Sequence, residues 1–358
     1  MDYSAVLAQE AFTLEKAQKR ALLNRRLREL VQYHYENCPE YGRILDFLDF
    51  SPEKELEYED SPFIPIRLFK ELALKSIPEE QIFKVMTSSG TTGQAVSKVY
   101  LDEETSRNQQ KTLIKIMADF LPAERMPMLI LDTARVVKER NFFSARRAGI
   151  LGFSLFGRDK FYALDDDMQL NIAQIEEFLQ KYHNQPIFAF GYTFIIWQYL
   201  YEELKKQGRR LDLSHVTLVH GGGWKKLANR NITDRQFREG LLETTGLKQI
   251  YEFYGMAEQT GTIYLACEHG HMHTSSYSDI LIRRAKDFSL CDIGEKGMIQ
   301  LISLLPQSYP GHNILTEDEG MILGEDDCPC GRKGKYFKIL GRIQKAEVRG
   351  CSDTYERK

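Results

Sequence analysis

Residues 85–99 read VMTSSGTTGQAVSKV, so that six consecutive hydroxyl-bearing or glycine residues stand directly before Gly93. Glycine lets the backbone come close to an anion, and hydroxyl and N–H groups donate hydrogen bonds to phosphate oxygens. The density of the run and its apolar flanks favour a phosphate-binding loop over a flexible surface turn. The Gly-Lys-Ser/Thr of a Walker A loop is absent. The predicted phosphate ligands are Thr87, Ser88, Ser89, Gly90, Thr91, Thr92 and Gly93, followed by the cation Lys98.

After this loop, short apolar runs alternate with helical patterns, which predicts an α/β core with functional loops at the strand ends. The predicted core strands are Met128–Leu131, Ile187–Phe190, Val216–Val219 and Ile250–Phe253. Beyond residue 280 the runs lie closer together, which predicts a smaller β-rich subdomain. These runs are Ile280–Ile282, Met298–Leu304 and Met321–Leu323. Before the loop, residues 12–38 have the spacing of an amphipathic helix that ends ahead of Pro39.

Two of the core strands are followed by motifs that suit a nucleotide. After Val216–Val219 come His220 and then Gly221, Gly222 and Gly223, where bare backbone would let a flat ligand lie close, although a plain glycine turn fits equally well. After Ile250–Phe253 come Tyr254, Gly255 and, three residues later, Glu258. These would stack a base and hold Mg²⁺, the alternative being a core aromatic followed by a solvated glutamate.

Composition excludes several classes of protein. The chain has 358 residues, 48 Lys and Arg against 51 Asp and Glu, and a net charge of −3. Without a basic excess we expect no nucleic-acid partner. The apolar stretches are too short or too interrupted to cross a bilayer, and residues 1–4 lack the pattern of a signal peptide. Six scattered cysteines do not make a disulfide framework, so we expect a cytoplasmic location.

In their order along the chain these motifs resemble those of the adenylate-forming ligases. Two further segments fit: Thr316-Glu317-Asp318 is similar to the segment whose aspartate binds the ribose, and Gly341-Arg342 to the hinge before the C-terminal lid. Within that superfamily, near phenylacetate-CoA ligase, the chain looks like the acyl-protein synthetases (LuxE) of bacterial luminescence. That likeness rests on residues 61–65, 87–98, 220–226, 253–261 and 349–354.

The resemblance implies a fold and a reaction. We expect an N-terminal helical segment (residues 1–80) on an adenylate-forming core (81–340), then a hinge remnant and tail (341–358) with the lid truncated. It implies ATP-dependent, Mg²⁺-assisted activation of a long-chain fatty acid as acyl-AMP. The acyl group would then pass to the enzyme's own Cys351 and on to an acyl reductase or another acceptor protein. Thiolates are suited to accept it, and Arg349 would favour the thiolate.

The resemblance also implies which residues contact ATP. Lys98 and Glu258 are the expected catalytic groups beside Cys351, with Glu258 holding Mg²⁺. The glycines 221–223, Tyr254, Gly255, Asp318 and Arg342 are the expected nucleotide contacts. The chain departs from the superfamily at Ala257, where Thr or Ser is usual, and Thr260 is a candidate substitute. The lid lysine is absent, and Lys345 is a candidate replacement.

Cysteine and histidine form a separate cluster in the sequence. Cys328-Pro329-Cys330-Gly331 presents two thiols in a tight turn, and Cys267 with one nearby histidine would complete a tetrahedral Cys₃His site for Zn²⁺. A similar arrangement in the phenylacetate-CoA ligase branch favours His273 over His269 and His271. Four unrelated residues are an equal alternative.

Two other functions compete with the acyl-protein synthetase. One is a phenylacetate-type acyl- or aryl-CoA ligase, which would release AMP in a CoA-dependent reaction that does not need Cys351. The other is a non-catalytic nucleotide-binding subunit that docks on a reductase or carrier protein, an interpretation supported by Ala257 and the missing lid.

Overall fold

The computed structural model describes residues 3–53, 55, 57–88, 96–138, 145–223, 230 and 232–343. The helices are α1 (Ser4–Leu7), α2 (Lys16–Asn37), α3 (Pro39–Phe47), α4 (Leu68–Glu71), α5 (Glu103–Met117), α6 (Arg135–Lys138), α7 (Ala145–Phe153), α8 (Ile172–Lys181), α9 (Thr193–Ile195), α10 (Glu202–Gln207) and α11 (Asp234–Thr245). None of these described helices is both long and apolar enough to cross a membrane.

The strands alternate with these helices in the middle of the chain and crowd together toward its end. They are β1 (Ile64–Pro65), β2 (Lys84–Thr87), β3 (Lys98–Leu101), β4 (Met126–Thr133), β5 (Gly157–Leu164), β6 (Ile187–Tyr192), β7 (Val216–Gly221), β8 (Gln249–Tyr254), β9 (Tyr264–Ala266), β10 (Met272–His273), β11 (Ser278–Arg283), β12 (Gly297–Ser303), β13 (Asn313–Glu325) and β14 (Lys335–Arg342). The four predicted core strands are therefore confirmed, each two to four residues longer than the apolar run that predicted it.

The predicted amphipathic helix is α2, but it begins at Lys16 rather than at residue 12. Long-range contacts explain the difference. The carbonyl of Phe12, which a helix would bond to the N–H of Lys16, instead accepts from Lys333 N at 3.0 Å, and Lys16 N donates to Asp326 Oδ2 at 2.9 Å. At its other end, Cys38 is extended (φ −122°, ψ 98°) because the following Pro39 disfavours a helical residue before it.

The chain divides into two compact units, of which the second comprises residues 121–254. Five parallel strands lie in the order β8-β7-β6-β4-β5, with helices in the connections. Helix α11 shows how sequence fixes these helices: Thr233 and Gln236 form a reciprocal capping box, and Gly246 ends the helix at φ 70°. Since neighbouring strands are parallel, Thr133, Tyr192, Gly221 and Tyr254 end their strands at one edge of the sheet.

The first unit comprises the described parts of 3–88, 96–120 and 255–343. Its strands β11-β12-β13-β14 are antiparallel, β10 pairs with β14 and β9, and β1 runs parallel to β13. Strands β2 and β3 form a separate hairpin. The predicted β-rich segment after residue 280 is confirmed, with residues 321–323 lying inside the long strand β13.

Candidate nucleotide and metal sites

The predicted phosphate loop connects the two strands of the β2–β3 hairpin. Thr87 pairs directly with Lys98, and just beyond this pair Ser88 N donates to Ser97 O at 3.1 Å while Ser97 N donates to Ser88 Oγ at 3.0 Å. Three of the predicted residues, Thr87, Ser88 and Lys98, are thus brought together where the loop leaves the strands. The remaining predicted ligands, Ser89, Gly90, Thr91, Thr92 and Gly93, lie outside the described residues.

Glu258 lies in a short 3₁₀ turn, Ala257–Gln259, and only 3% of it is exposed. The alternative of a solvated glutamate is therefore wrong. Thr260, which follows the turn, donates its hydroxyl hydrogen to Ala257 O at 2.9 Å, and its Oγ1 lies 3.8 Å from Met86 Sδ on β2. The Glu258 turn consequently packs beside the strand that leads into the phosphate loop, within the same unit.

The carbonyl side of the Glu258 turn is closely packed. A Cβ at Gly311 would lie 2.6 Å from Glu258 O, so that only glycine permits this approach. Tyr309 is fully buried, and its hydroxyl accepts from Gln109 Nε2 at 3.2 Å. Burial raises the pKa of Tyr309, and the nearby Glu258 carboxylate raises this pKa further. The phenol therefore stays neutral beside the carboxylate.

The two residues predicted to bind the ribose also lie together. Asp318 on β13 and Arg342 on β14 are register partners, and Arg342 Nε is 3.6 Å from Asp318 Oδ1. Thr316 orients this end of β13, since its Oγ1 donates to Ile299 O at 2.8 Å and accepts from Asp318 N at 3.1 Å. A carboxylate and a guanidinium side by side offer an acceptor and donors to a diol.

In the second unit, the glycine motif closes the end of β7. Gly222 has φ +84°, and a Cβ there would lie 2.6 Å from the ring of Tyr192, so a side chain is excluded both by conformation and by space. Thr193 donates its hydroxyl hydrogen to Gly221 O at 3.1 Å and accepts from His220 Nδ1 at 2.9 Å. Burial lowers the pKa of His220 to about 3, which makes it a neutral anchor for this turn.

Two residues of these turns have roles that the sequence did not predict. Tyr192, which belongs to the apolar stretch 191–197, lies beneath Gly222 at the end of a strand adjacent to β7. Gln259 is 1% exposed and directly follows Glu258, the only hint of its importance in the sequence. In sequence, residues 191–197 are apolar enough either to line an acyl pocket or to start a buried core helix. Gly191 and Tyr192 end β6, and residues 193–197 form α9 and the start of a π-helical turn; Ile196 and Trp197 pack in the hydrophobic core, in agreement with the core-helix interpretation.

The four predicted zinc ligands converge in the first unit. One ligand atom from each of Cys267, His273, Cys328 and Cys330 lies within 4.8 Å of the other three. Cys267 Sγ and Cys328 Sγ are 4.0 Å apart, and Cys330 Sγ is 3.3 Å from His273 Nε2. Two sulfurs bound to one tetrahedral Zn²⁺ would be separated by ~3.8 Å, given Zn–S bonds of about 2.3 Å. The alternative of four unrelated residues is therefore wrong.

The chemistry of this Cys/His tetrad also suits a metal. Burial raises the pKa of Cys267 and raises that of Cys328 to about 12, while burial lowers the pKa of His273 to about 4. Burial thus disfavours the charged forms of the thiols, and a Zn²⁺ ion would compensate by stabilising thiolates directly. His271, whose Nδ1 is 3.3 Å from Cys328 Sγ, supplies a neighbouring polar contact to the ligand sulfur.

A family model described as "Acyl-protein synthetase, LuxE" matches residues 2–358. The chain belongs to the acyl-protein synthetase (LuxE) family. Two long-chain-fatty-acid–luciferin-component ligases resemble this LuxE-family chain over nearly its whole length. The ligase of Vibrio harveyi is 22% identical over 94% of the chain and 87% of the relative, and that of Aliivibrio fischeri is 22% identical over 94% and 88%.

Two other proteins match over a smaller share of their own length. A phenylacetate-coenzyme A ligase of Thermus thermophilus is 34% identical over 120 residues, which is 32% of the LuxE-family chain and 26% of the relative. The structure of 2-hydroxyisobutyryl-CoA ligase in an open conformation superposes with a TM-score of 0.73 at 17% identity, covering 93% of this chain and 72% of that one. The predicted adenylate-forming α/β fold is confirmed. The LuxE-family chain is an AMP-forming ligase that carries out ATP-dependent acyl activation, so the non-catalytic interpretation is set aside.

Proposed function

We propose that the protein activates a long-chain fatty acid as acyl-AMP and loads the acyl group onto its own Cys351. A carboxylate oxygen of the fatty acid forms a bond to the α-phosphorus of ATP as pyrophosphate leaves. The Cys351 thiolate, having lost its proton to solvent, then attacks the acyl carbonyl, and AMP leaves with the electron pair of the broken C–O bond. The observation that carries this proposal is the family match over residues 2–358.

Each group of residues has a role in this proposal. The loop after Thr87 and Ser88, with Lys98, donates to the triphosphate and offsets the charge that develops during displacement. Glu258 holds Mg²⁺, which would supply a Lewis-acid contact to phosphate oxygens when bound. Asp318 and Arg342 take the ribose hydroxyls. Gly221, Gly222 and Gly223 lie against the adenine, and Tyr254 stacks on it while Gly255 gives the backbone room. The pairing of Asp318 with Arg342 and the packing of the Glu258 turn beside β2 support these assignments.

Mass spectrometry of the intact protein tests whether Cys351 accepts the acyl group. The full-length protein is incubated with ATP, Mg²⁺ and a labelled C14 acid, and we expect one acyl adduct that hydroxylamine removes. Cys351→Ser should abolish the adduct while leaving fatty-acid-dependent pyrophosphate exchange. Cys351 lies outside the described residues; Cys291→Ser is the control, because Cys291 is a partly exposed free thiol that has no role in the proposal. An adduct that persists in Cys351→Ser would contradict the assignment.

The phosphate loop has its own test. Ser89→Pro and Gly90→Val should abolish pyrophosphate exchange, because a fixed φ or a Cβ spoils a backbone cradle for an anion. The same substitutions should leave the circular-dichroism spectrum and melting temperature near those of the parent. Unchanged exchange in either variant would refute a loop that binds phosphate.

A phenylacetate-type acyl- or aryl-CoA ligase remains the second candidate, favoured by the 34% identity over 120 residues. Such an enzyme would release AMP only when CoA is supplied, and Cys351→Ser would not slow it. We also infer that an acyl reductase or another acceptor protein takes the acyl group from Cys351, since a thioester is an acyl donor rather than an end product.

We further propose that Cys267, His273, Cys328 and Cys330 bind a structural Zn²⁺. Four protein ligands fill a tetrahedral shell and leave no open position for a substrate. Support comes from the spacing of the ligand atoms and from the burial of Cys267, His273 and Cys328. Metal analysis of the purified protein should find about one zinc per chain, and Cys328→Ser should lower that content, whereas Cys38→Ser should not.

A further inference from the structure

Gln259 fastens the Glu258 turn to two other segments of the first unit. Its side chain is 1% exposed, and Nε2 donates to Leu301 O on β12 at 3.1 Å and to Gly311 O at 2.9 Å. Its backbone carbonyl accepts from Thr262 Oγ1, also at 3.1 Å. Both the side chain and the backbone carbonyl of Gln259 are therefore hydrogen-bonded within the protein, and Glu258 directly precedes Gln259 in the chain.

The orientation of the Gln259 amide is determined by chemistry. Both partners are carbonyl oxygens, which only accept, so the NH₂ group must face them and the oxygen must face away. Oε1 is buried without a hydrogen-bond partner among the described residues. A buried acceptor without a partner is unfavourable, so the stabilising contribution of the Gln259 side chain comes from the two hydrogen bonds that Nε2 donates.

These hydrogen bonds restrict the movement of the Glu258 backbone toward Gly311. Gly311 is held on one side by Gln259 Nε2 and approaches Glu258 O so closely that a Cβ would lie 2.6 Å away. The backbone of Glu258 is thus enclosed between Gly311 and β2, which Thr260 contacts through Met86. A carboxylate on a rigid backbone can meet a cation without reorganisation, which is the condition for a strong electrostatic contribution.

We propose that Gln259 is a positioning residue that holds Glu258 for its cation through the two bonds from Nε2 to Leu301 O and Gly311 O. This inference rests on the proposed function of Glu258. Gln259 does not touch the nucleotide in this proposal. It acts on the reaction through the backbone of its neighbour, so its loss changes how well Mg²⁺ is used rather than whether fatty acid binds.

The test compares two buried amides attached to the same strand. Gln259→Met keeps the length of the side chain and removes both donors. Gln300→Met is the control: Gln300 is fully buried on β12, donates to Asn313 Oδ1 at 2.6 Å and accepts from Arg283 Nε, and among the described residues it has no hydrogen bond to the Glu258 turn. The half-saturating Mg²⁺ is measured at saturating ATP in two ways, from pyrophosphate exchange and, without fatty acid, from calorimetric titration of the protein–ATP complex with Mg²⁺. We expect Gln259→Met to raise the half-saturating Mg²⁺ at least tenfold and Gln300→Met to change it less than twofold.

A second variant separates positioning from loss of stability. Gln259→Glu is isosteric, and facing two acceptors its carboxyl must be protonated to donate even one bond. We expect its half-saturating Mg²⁺ to be near the parent's at pH 6 and at least fivefold higher at pH 8, with the parent showing no such rise. A general loss of packing would not produce this pH profile, and the variant folds at pH 6 because one donor is kept.

The outcomes distinguish the positioning role of Gln259 from the proposed role of Glu258 in holding Mg²⁺. Equal shifts in Gln259→Met and Gln300→Met, or no shift in either, overturn the role of Gln259. If Glu258→Gln keeps the exchange rate and Mg²⁺ dependence of the parent, the proposed role of Glu258 itself is wrong. If Glu258→Gln is inactive while Gln259→Glu follows the pH profile of the parent, only the positioning role fails.

Discussion

The Cys/His tetrad and the Glu258 turn lie in the same unit and are both buried, yet they are organised in opposite ways. In the turn, Gln259, Thr260 and Thr262 already direct their donors to protein carbonyls. In the tetrad, Cys267 Sγ and Cys328 Sγ face each other at 4.0 Å, and burial keeps these thiols neutral. The donors of the turn are already bonded to protein carbonyls, whereas the tetrad gathers four donor atoms that the proposed Zn²⁺ would join.

This difference separates two ways of preparing a site. A preorganised carboxylate contributes to catalysis because it does not move when charge develops. A closed metal site contributes to folding, because a site that does not exist in the unfolded chain converts binding energy into stability. We therefore expect perturbation of the turn to change rates, and perturbation of the tetrad to change the free energy of unfolding.

Removal of the metal should have the largest effect. With free Zn²⁺ at about a thousand times its dissociation constant, binding stabilises the folded protein by about 4 kcal/mol. We expect chelation to lower the unfolding free energy by this amount in a urea titration, while pyrophosphate exchange per folded molecule at 25 °C stays within twofold. Restored stability on adding Zn²⁺ is the control. A pyrophosphate exchange rate that falls in parallel with zinc content would show that the tetrad contributes to catalysis and not only to folding.

Glu258→Gln should have the next largest effect, and on rate alone. Removing a preorganised electrostatic contact in a buried site typically lowers the rate by about 10²–10³-fold. We expect a decrease of that size in pyrophosphate exchange, with zinc content unchanged. Glu268→Gln is a suitable control because Glu268 is an exposed glutamate whose partner is Arg332. A variant with full exchange activity would show that the turn is not preorganised for catalysis.

Acid should weaken the segment that carries the turn. His312, directly after Gly311, stacks on His34 at 4.9 Å, and burial lowers the pKa of His34 to about 3 and that of His312 well below 6.5. The unfolded chain binds these protons first, so stability is complete above pH 6.5 and is lost as pH falls from there toward 3. Between pH 7 and 5.5 the pair should cost about 2 kcal/mol.

Urea unfolding of the chelator-treated protein at the two pH values measures this loss without metal release. His312→Gln, which cannot titrate, should remove about half of the contribution of this pair, whereas His220 and His273, whose pKa values burial also lowers, keep theirs. His183→Gln should leave it unchanged, because His183 is exposed. An unfolding free energy that does not fall between pH 7 and 5.5 would show that these imidazoles accept protons in the folded protein.

The smallest effect should come from the edge of the turn. Thr262→Val keeps the shape of the side chain but loses the hydrogen bond from Oγ1 to Gln259 O and the contact with Ser303 Oγ at 3.1 Å. We expect a loss of about 1 kcal/mol in stability and less than a threefold change in the half-saturating Mg²⁺. A Mg²⁺ shift as large as that expected for Gln259→Met would mean that backbone support, rather than the amide, positions Glu258.

The sequence predicted what depends on periodicity and on chemically distinctive residues. The strand ends at Gly221 and Tyr254 follow from apolar runs stopped by turns. Residue type and spacing predicted Cys267, Cys328, Cys330 and one nearby histidine as zinc ligands, and the resemblance to the phenylacetate-CoA ligase branch selected His273. The start of α2 was missed because Phe12 and Lys16 bond to partners more than 300 positions away. Gln259 was missed for the same reason: a buried glutamine has no local signature, and its partners Leu301 and Gly311 are distant in the chain.

The segment before α2 has a consequence for synthesis on the ribosome. Phe12 packs its ring edge-on to His273 and bonds its carbonyl to Lys333, while Ala11 O accepts from Ser276 N at 2.6 Å. Residues 11 and 12 therefore wait for partners that are translated more than 250 residues later. Residues 121–254, the long continuous stretch of the second unit, can fold while translation proceeds, but the first unit is completed only after the Cys328–Cys330 loop has left the exit tunnel.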